Sequence, residues 1–374
     1  MRVRAAVLRE MGVPPPYSKS RPLEVIEVEL DPPGPGELLV RVRAAGLCHS
    51  DLSVIDGSRP RVMPMALGHE AAGEVVEVGG VSRFSPGDHV VLVFVPACGE
   101  CEPCRAGRAA LCEPGAAANA AGTLLSGERR LSHPDLVPLN HHLGVSAFAE
   151  HIVVSEASAV RVDPEIPYEV AALFGCAVLT GVGAVVNAAE VATGDRVVVF
   201  GLGGVGLAAL LGAVFQEAET IVAVDVIAEK LELAQELGAT HAVAAGPTAV
   251  AEILEITGGG ADHAIETVGS ARVLSDAYAA TRRGGTTTTV GLPDPSQMLT
   301  IPAVSLVTEE RTLRGSYLGS SVPARDVPRF VELYQDGRLP VERLLTHRLA
   351  LDEINEGFDR MASGEAVRQA IIFN

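Results

Sequence analysis

The 374-residue chain has no tryptophan, and aromatic residues make up only 4% of it. Clusters of large rings therefore cannot dominate its cores. Small and β-branched side chains must fill them, as in strands covered on both faces by helices. Excess positive charge is also missing. The formal net charge is −18, which argues against a nucleic-acid or anionic-membrane partner. The first sixteen residues contain no apolar run of signal-peptide length. The most apolar run, 197–215, is broken by Gly201, Gly203, Gly204, Gly206 and Gly212 and follows Asp195 and Arg196, so no membrane span is expected. The expected location is cytoplasmic and reducing, where cysteines read as metal ligands before they read as disulfides.

At 48% hydrophobic and 20% charged, the chain can bury sizeable cores, and its length suggests two domains. The first third reads as β-rich. Residues 2–8 and 38–44 alternate, 73–79 form a strand bounded by glycines, and 89–95 an apolar strand. A Gly/Ala/Ser-rich loop is expected over 113–145. One long helix is expected over 169–189. From there strands (196–200, 220–225, 261–266, 286–290, 312–315) alternate with helices, which means a doubly wound parallel sheet, an α/β arrangement. A helix near 327–336 and a last strand, 369–373, complete the chain.

Four of the six cysteines, Cys98, Cys101, Cys104 and Cys112, fall within fifteen residues. Thiolates so spaced suit one tetrahedral zinc enclosed by protein, with no position left for substrate. A redox pair or an iron–sulfur cluster are the alternatives. Gly201-x-Gly203-Gly204-Val205-Gly206 follows a strand and opens a helix, and Asp225 ends the next strand about 20 residues on. Such a turn brings backbone N–H groups and a helix N-terminus to a pyrophosphate. A carboxylate at Asp225 would accept from ribose hydroxyls and repel a 2′-phosphate, favouring NAD over NADP. Lys230 is placed to reach the same ribose. Cys48 and Cys176 remain, and with His69 they offer two thiolates and an imidazole, the protein part of a catalytic zinc site with a fourth position open.

Gly46-Leu47-Cys48-His49-Ser50-Asp51, Gly68-His69-Glu70, the four-cysteine lobe, Gly175-Cys176 and the glycine turn occur in this order. In this the chain resembles the zinc-dependent medium-chain alcohol dehydrogenases over essentially its whole length. The insert before His151 is similar to that of the dimeric branch, which includes liver-type enzymes and thiol-dependent formaldehyde dehydrogenases. The resemblance implies a β-rich, GroES-like catalytic domain from residues 1–177 and 320–374, and a Rossmann domain over 178–319. It implies two zincs per chain and NAD(H). Cys48, His69 and Cys176 would hold the catalytic zinc, and the four-cysteine lobe the structural one. Ser50 would relay the alcohol proton, Asp51 would orient His69, and Glu70 would lie behind the metal. His49 and Arg368 match pyrophosphate-binding positions, and His49 is also a candidate for carrying the proton onward, since Ser53 stands where liver-type enzymes often have a histidine. Phe94, Phe148 and Leu318 match pocket walls, with Leu124 or Leu125 joining them. An apolar pocket suits an aromatic or medium-chain primary alcohol or its aldehyde. A homodimer is implied, with a homotetramer as the alternative. Three rival readings stand beside this one: a formaldehyde dehydrogenase acting on a thiol adduct that Arg129 or Arg130 would bind, a nicotinoprotein that keeps its NAD, and a non-enzymatic NAD-binding sensor.

Overall fold

The structure is a computed structural model that describes residues 1–374. The chain forms two compact units. Unit 1 contains Met1–Cys176, Val322–Glu332 and Leu345–Asn374; unit 2 contains Ala177–Ser321 and Leu333–Leu344. Residues 333–344, expected in the catalytic domain, thus belong to unit 2. There Leu339, Val341 and Leu344 are buried, and Arg338 stacks over Phe215. No helix is long and apolar enough to cross a membrane.

Unit 1 is built around the strand Glu37–Leu47. Its β-branched and leucine run pairs with Ala71–Val78, His151–Ser155 and the C-terminal strand Arg368–Ile372, all antiparallel. The register Gln369↔Leu47 brings Arg368 beside the end of that strand, where Cys48 follows. A second sheet pairs Arg2–Leu8 with Leu23–Leu30. The two sheets enclose one core, which includes Val40, Val42, Leu92, Ile152 and Phe358.

Unit 2 holds a six-stranded, wholly parallel sheet. Its order is His241–Ala244, Thr220–Asp225, Arg196–Phe200, Ala261–Glu266, Thr281–Thr289, Thr312–Gly315. Residues 197–200 and 221–224 are continuous apolar runs, as in strands covered on both faces by helices. The helix Gly204–Phe215 packs closely on Ala177–Gly183, since a Cβ on Gly181 would run into the Val205 carbonyl.

Two expectations need correction. The helix over 169–189 is broken into Tyr168–Leu173, Ala177–Gly183 and a π-helical turn Ala184–Ala189. The break falls at Phe174–Gly175–Cys176, where a side chain on Gly175 would collide with the Leu92 carbonyl. The supposed loop over 113–145 contains the helix Glu113–Ala121. Its alanines favour helix, Pro114 is tolerated in the first turn, the Cys112 thiol caps Gly115 N–H, and left-handed Gly122 stops it.

Candidate functional site: a buried metal centre

Cys48 follows the strand Glu37–Leu47 and precedes the short helix His49–Ile55, which carries Ser50 and Asp51 in its first turn. Gly68 has φ +95°, and a Cβ there would meet the Phe148 amide, so only glycine lets the chain turn to present His69. Cys176 lies in the helix break. These local features bring the Cys48, His69, Glu70 and Cys176 ligand atoms within 4.8 Å of one another, all buried.

His69 is held from behind. Its Nδ1 lies 3.0 Å from Asp51 Oδ1, and that oxygen also accepts from Gly68 N–H at 3.2 Å. His69 Nε2 is buried with no hydrogen-bond partner. Burial works against charge on His69, yet Asp51 and Cys48 outweigh it and push the imidazole up to about 10. The Cys48 thiol is pushed well down, chiefly by a hydrogen bond with Cys176 and, against burial, by His69. A set that draws in positive charge this strongly, with an imidazole nitrogen left over, fits a divalent cation. Glu70 occupies space that Gly46 leaves free and pairs with Arg368. Arg368 is thus buried beside the metal centre, and its partner within unit 1 is a carboxylate.

The four-cysteine lobe fits a second cation. All six cysteines are free, and the lobe's four thiol sulfurs also lie within 4.8 Å of one another. Backbone N–H groups point at them: Cys98 donates to Cys112 Sγ at 3.2 Å, and Cys101 to Cys98 Sγ at 3.4 Å. The Glu100 and Cys101 amides push Cys98 down to about 7, while burial and its cysteine neighbours push Cys104 up to about 12. The four cannot ionise together unless a cation compensates them.

In unit 2, Gly201 has φ +87°, and a Cβ on Gly206 would collide with the Gly201 carbonyl. Gly203 faces open space and, like Val205, is partly exposed, whereas Gly204 is buried. Asp225 Oδ2 accepts from Leu202 N–H at 2.6 Å and Oδ1 from Ile227 N–H at 3.0 Å, which ties the glycine turn to the next strand end. Each oxygen keeps a lone pair for a ribose hydroxyl. Lys230 lies in the first turn of the helix Ala228–Glu236, half-buried.

The wall positions separate. Phe94 stands edge-on to His69, with ring centroids 5.5 Å apart. Phe148 is fully buried in the unit 1 core, edge-on to Phe358, and Leu124 is buried in the same core. Leu318 is buried in unit 2 with φ +52°. Arg129 bonds to Asn140 Oδ1 and the Ala121 carbonyl, and Arg130 to Glu37 Oε2, so both anchor the insert. Ser53 Oγ donates to the His49 carbonyl. Two residues were not found from the sequence. His142 Nδ1 lies 3.1 Å from Asp51 Oδ1, and Asn119 Nδ2 holds the Phe94 carbonyl at 2.8 Å. Both come from the insert, and no local pattern marks them.

A β-rich unit with a thiolate–imidazole centre and a closed thiolate lobe, on one chain with a parallel nucleotide-type sheet, defines a metal-dependent dehydrogenase. Known proteins agree. Residues 34–164 match the alcohol dehydrogenase GroES-like domain, and residues 204–336 the zinc-binding dehydrogenase family. An NDMA-dependent alcohol dehydrogenase of Amycolatopsis methanolica is 39% identical over 100% of this chain and 99% of its own. An S-(hydroxymethyl)glutathione dehydrogenase of Paracoccus denitrificans is 37% identical over the full length of both. The crystal structure of benzyl alcohol dehydrogenase from Acinetobacter calcoaceticus is 33% identical, covers 100% of both chains and superposes with a TM-score of 0.92. The chain belongs to the zinc-dependent medium-chain alcohol dehydrogenases, and is an enzyme that takes zinc and a nicotinamide cofactor.

Proposed function

We propose that the enzyme interconverts primary alcohols and aldehydes, aromatic or medium-chain, with hydride transfer to and from NAD. The observation that carries this is the partnerless Nε2 of His69, aimed among two thiols with Asp51 behind it. Cys48, His69 and Cys176 would hold the catalytic zinc, and Cys98, Cys101, Cys104 and Cys112 the structural zinc. When bound, the metal lowers the pKa of the alcohol and the nicotinamide takes the hydride. Ser50, a neutral hydroxyl two residues from Cys48, passes the alcohol proton without adding charge. Exposed His49 carries it outward, because Ser53 has its hydroxyl turned onto the helix backbone. Asp51 fixes the His69 tautomer. Glu70, held back by Arg368, stands behind the metal. Gly201, Gly203, Gly204, Val205 and Gly206 cradle the pyrophosphate, and Asp225 and Lys230 hold the adenosine ribose. Phe94 supplies an apolar wall beside His69. The location is cytoplasmic.

The thiol-adduct reading keeps its place, since a relative named as an S-(hydroxymethyl)glutathione dehydrogenase matches along the whole chain, although Arg129 and Arg130 are engaged within the insert. The nicotinoprotein reading keeps its place, since a relative named for NDMA dependence matches along the whole chain. A panel of benzyl and aliphatic alcohols measured as kcat/KM with added NAD tests the main reading. Activity only on formaldehyde with glutathione or mycothiol would replace it. Turnover needing NDMA, with nicotinamide released only on denaturation, would select the nicotinoprotein.

A homodimer is supported by the edge strand Thr312–Gly315. It is unpaired on its outer side and near the exposed Val304 and Val307 in sequence. A second copy pairing along it would extend the sheet and remove the edge. A monomer mass by light scattering would overturn this.

A further inference from the structure

We propose that His142 is a positioning residue for the catalytic metal, acting through Asp51 on His69. The inference rests on the zinc reading above.

Asp51 is fully buried and its two oxygens are used unequally. Oδ1 meets His69 Nδ1 at 3.0 Å, Gly68 N–H at 3.2 Å and His142 Nδ1 at 3.1 Å, while Oδ2 has no partner. A carboxylate with all its neighbours on one oxygen is free to rotate unless something fixes its plane. His69 and Gly68 approach from the short segment between the strands Met65–Ala66 and Ala71–Val78. His142 approaches from the insert, with its ring perpendicular to that of His69 and centroids 5.5 Å apart. It is 1% exposed, so its Nδ1 has no water to turn to. The contact is close but off the line of a good hydrogen bond, since Nδ1 makes none. A small rotation of the carboxylate toward His142 would complete it. His142 therefore limits which way Asp51 can turn and, with it, where His69 Nε2 points.

The backbone around His142 is built to hold it there. His142 N–H donates to Ser146 Oγ at 2.9 Å, and the His142 carbonyl accepts from Val145 and Ser146. Leu143 and Ser146, neither of them glycine, adopt left-handed φ of 52° and 56°. Such conformations persist only where the surroundings over-determine them, and they cluster at functional sites. What over-determines them is the segment that carries His69. Ala147 N–H donates to the Gly68 carbonyl and Phe148 N–H to the Leu67 carbonyl, both at 3.1 Å. The turn that presents His142 is thus fastened to the residues immediately before His69. A residue that merely filled the core would need neither the strained turn nor an imidazole nitrogen aimed at a buried carboxylate.

The test uses the intact enzyme loaded with zinc, and separately with Co(II) at the catalytic site. Metal is withdrawn by a graded chelator, and the four-cysteine site serves as the internal control. His142→Leu keeps the bulk and removes the nitrogen. It is expected to weaken the catalytic metal about tenfold, to shift the Co(II) absorption bands, and to leave the four-cysteine metal in place. His142→Gln, which returns an N–H donor, is expected to recover most of the affinity. If His142→Leu does not fold, His142→Asn carries the comparison, with an expected loss of about threefold. Wild-type affinity and spectrum in His142→Leu, or in His142→Asn where it stands in, would overturn the proposal. So would a Gln variant no better than the Leu variant, or parallel loss of both metals. A wild-type enzyme that holds no metal at the Cys48 centre would instead overturn the zinc assignment itself.

Discussion

Asp51→Asn removes one charge and almost nothing else. The Asp51 side chain is fully buried, and its neighbours all lie on Oδ1, with Oδ2 unpartnered. An asparagine can therefore keep its carbonyl oxygen where Oδ1 stands and put its NH₂ where no donor opposes it. His69 Nδ1–H and Gly68 N–H keep an acceptor, now a neutral one. A hydrogen bond to a charged group is worth about 1.5–3 kcal/mol and a neutral one about 0.5–1.5, so the loss is about 1.4 kcal/mol, or tenfold. That tenfold should appear in the affinity of the Cys48–His69–Cys176 metal, while the four-cysteine metal is unaffected. Asp51→Leu is a harsher change. It strands two buried donors at about 1–3 kcal/mol each, roughly 2–6 kcal/mol of folding stability. Chelator competition with metal analysis reads the first effect, and thermal unfolding the second. An Asn variant within twofold of wild type in both metal affinity and kcat would refute the claim that the Asp51 charge acts on the metal through His69.

Cys104→Ser should lower the melting temperature or the yield of folded protein before it lowers kcat, because the lobe has no position for substrate; a stably folded variant that loses only turnover would exchange the roles of the two metal centres. Asp225→Ser should narrow the preference for NAD over NADP in kcat/KM and cost about 1–2 kcal/mol, since Leu202 N–H and Ile227 N–H both lose a charged acceptor; an unchanged cofactor ratio would contradict the ribose assignment. Burial, only partly offset by Glu37, pushes His141 down to about 4, and its Nε2 accepts from Arg130 N–H, so the folded enzyme holds it neutral. Its contribution is complete above the unfolded value near 6.5 and is lost as pH falls toward 4, at up to about 1.4 kcal/mol per pH unit. His141→Gln should flatten the stability–pH curve in that window, measured by denaturant unfolding, and an unchanged slope would show that His141 is not the group responsible.

Local chemistry was legible without coordinates. The Gly201–Gly206 turn, the spacing of Cys98 to Cys112 and the strand–helix alternation after residue 196 each follow from short-range constraints: a φ only glycine adopts, ligands close enough to share an ion, and side-chain periodicity. The rest depended on distant partners. Phe148 has the size and apolarity of a pocket wall, and only the fold sets it in the core edge-on to Phe358, over two hundred residues away. The helix over 169–189 has the right period throughout, but the chain breaks at Phe174–Gly175–Cys176, where the Leu92 carbonyl leaves no room for a side chain on Gly175. Arg129 and Arg130 carry the charge an anionic substrate would need, and only the fold pairs them with Asn140 and Glu37.

By itself the sequence determined that the chain carries two kinds of cysteine set, a dinucleotide turn and two domains, because these depend on residues near one another in the chain. Only the tertiary structure decided which atoms face the metal and what stands behind them. Cys48, His69 and Cys176 lie on three separate segments, and Arg368 reaches Glu70 through the register of the last strand. His142 meets Asp51 across ninety residues. Contacts of that range are set by strand pairing and by how the insert folds back, which no local pattern encodes.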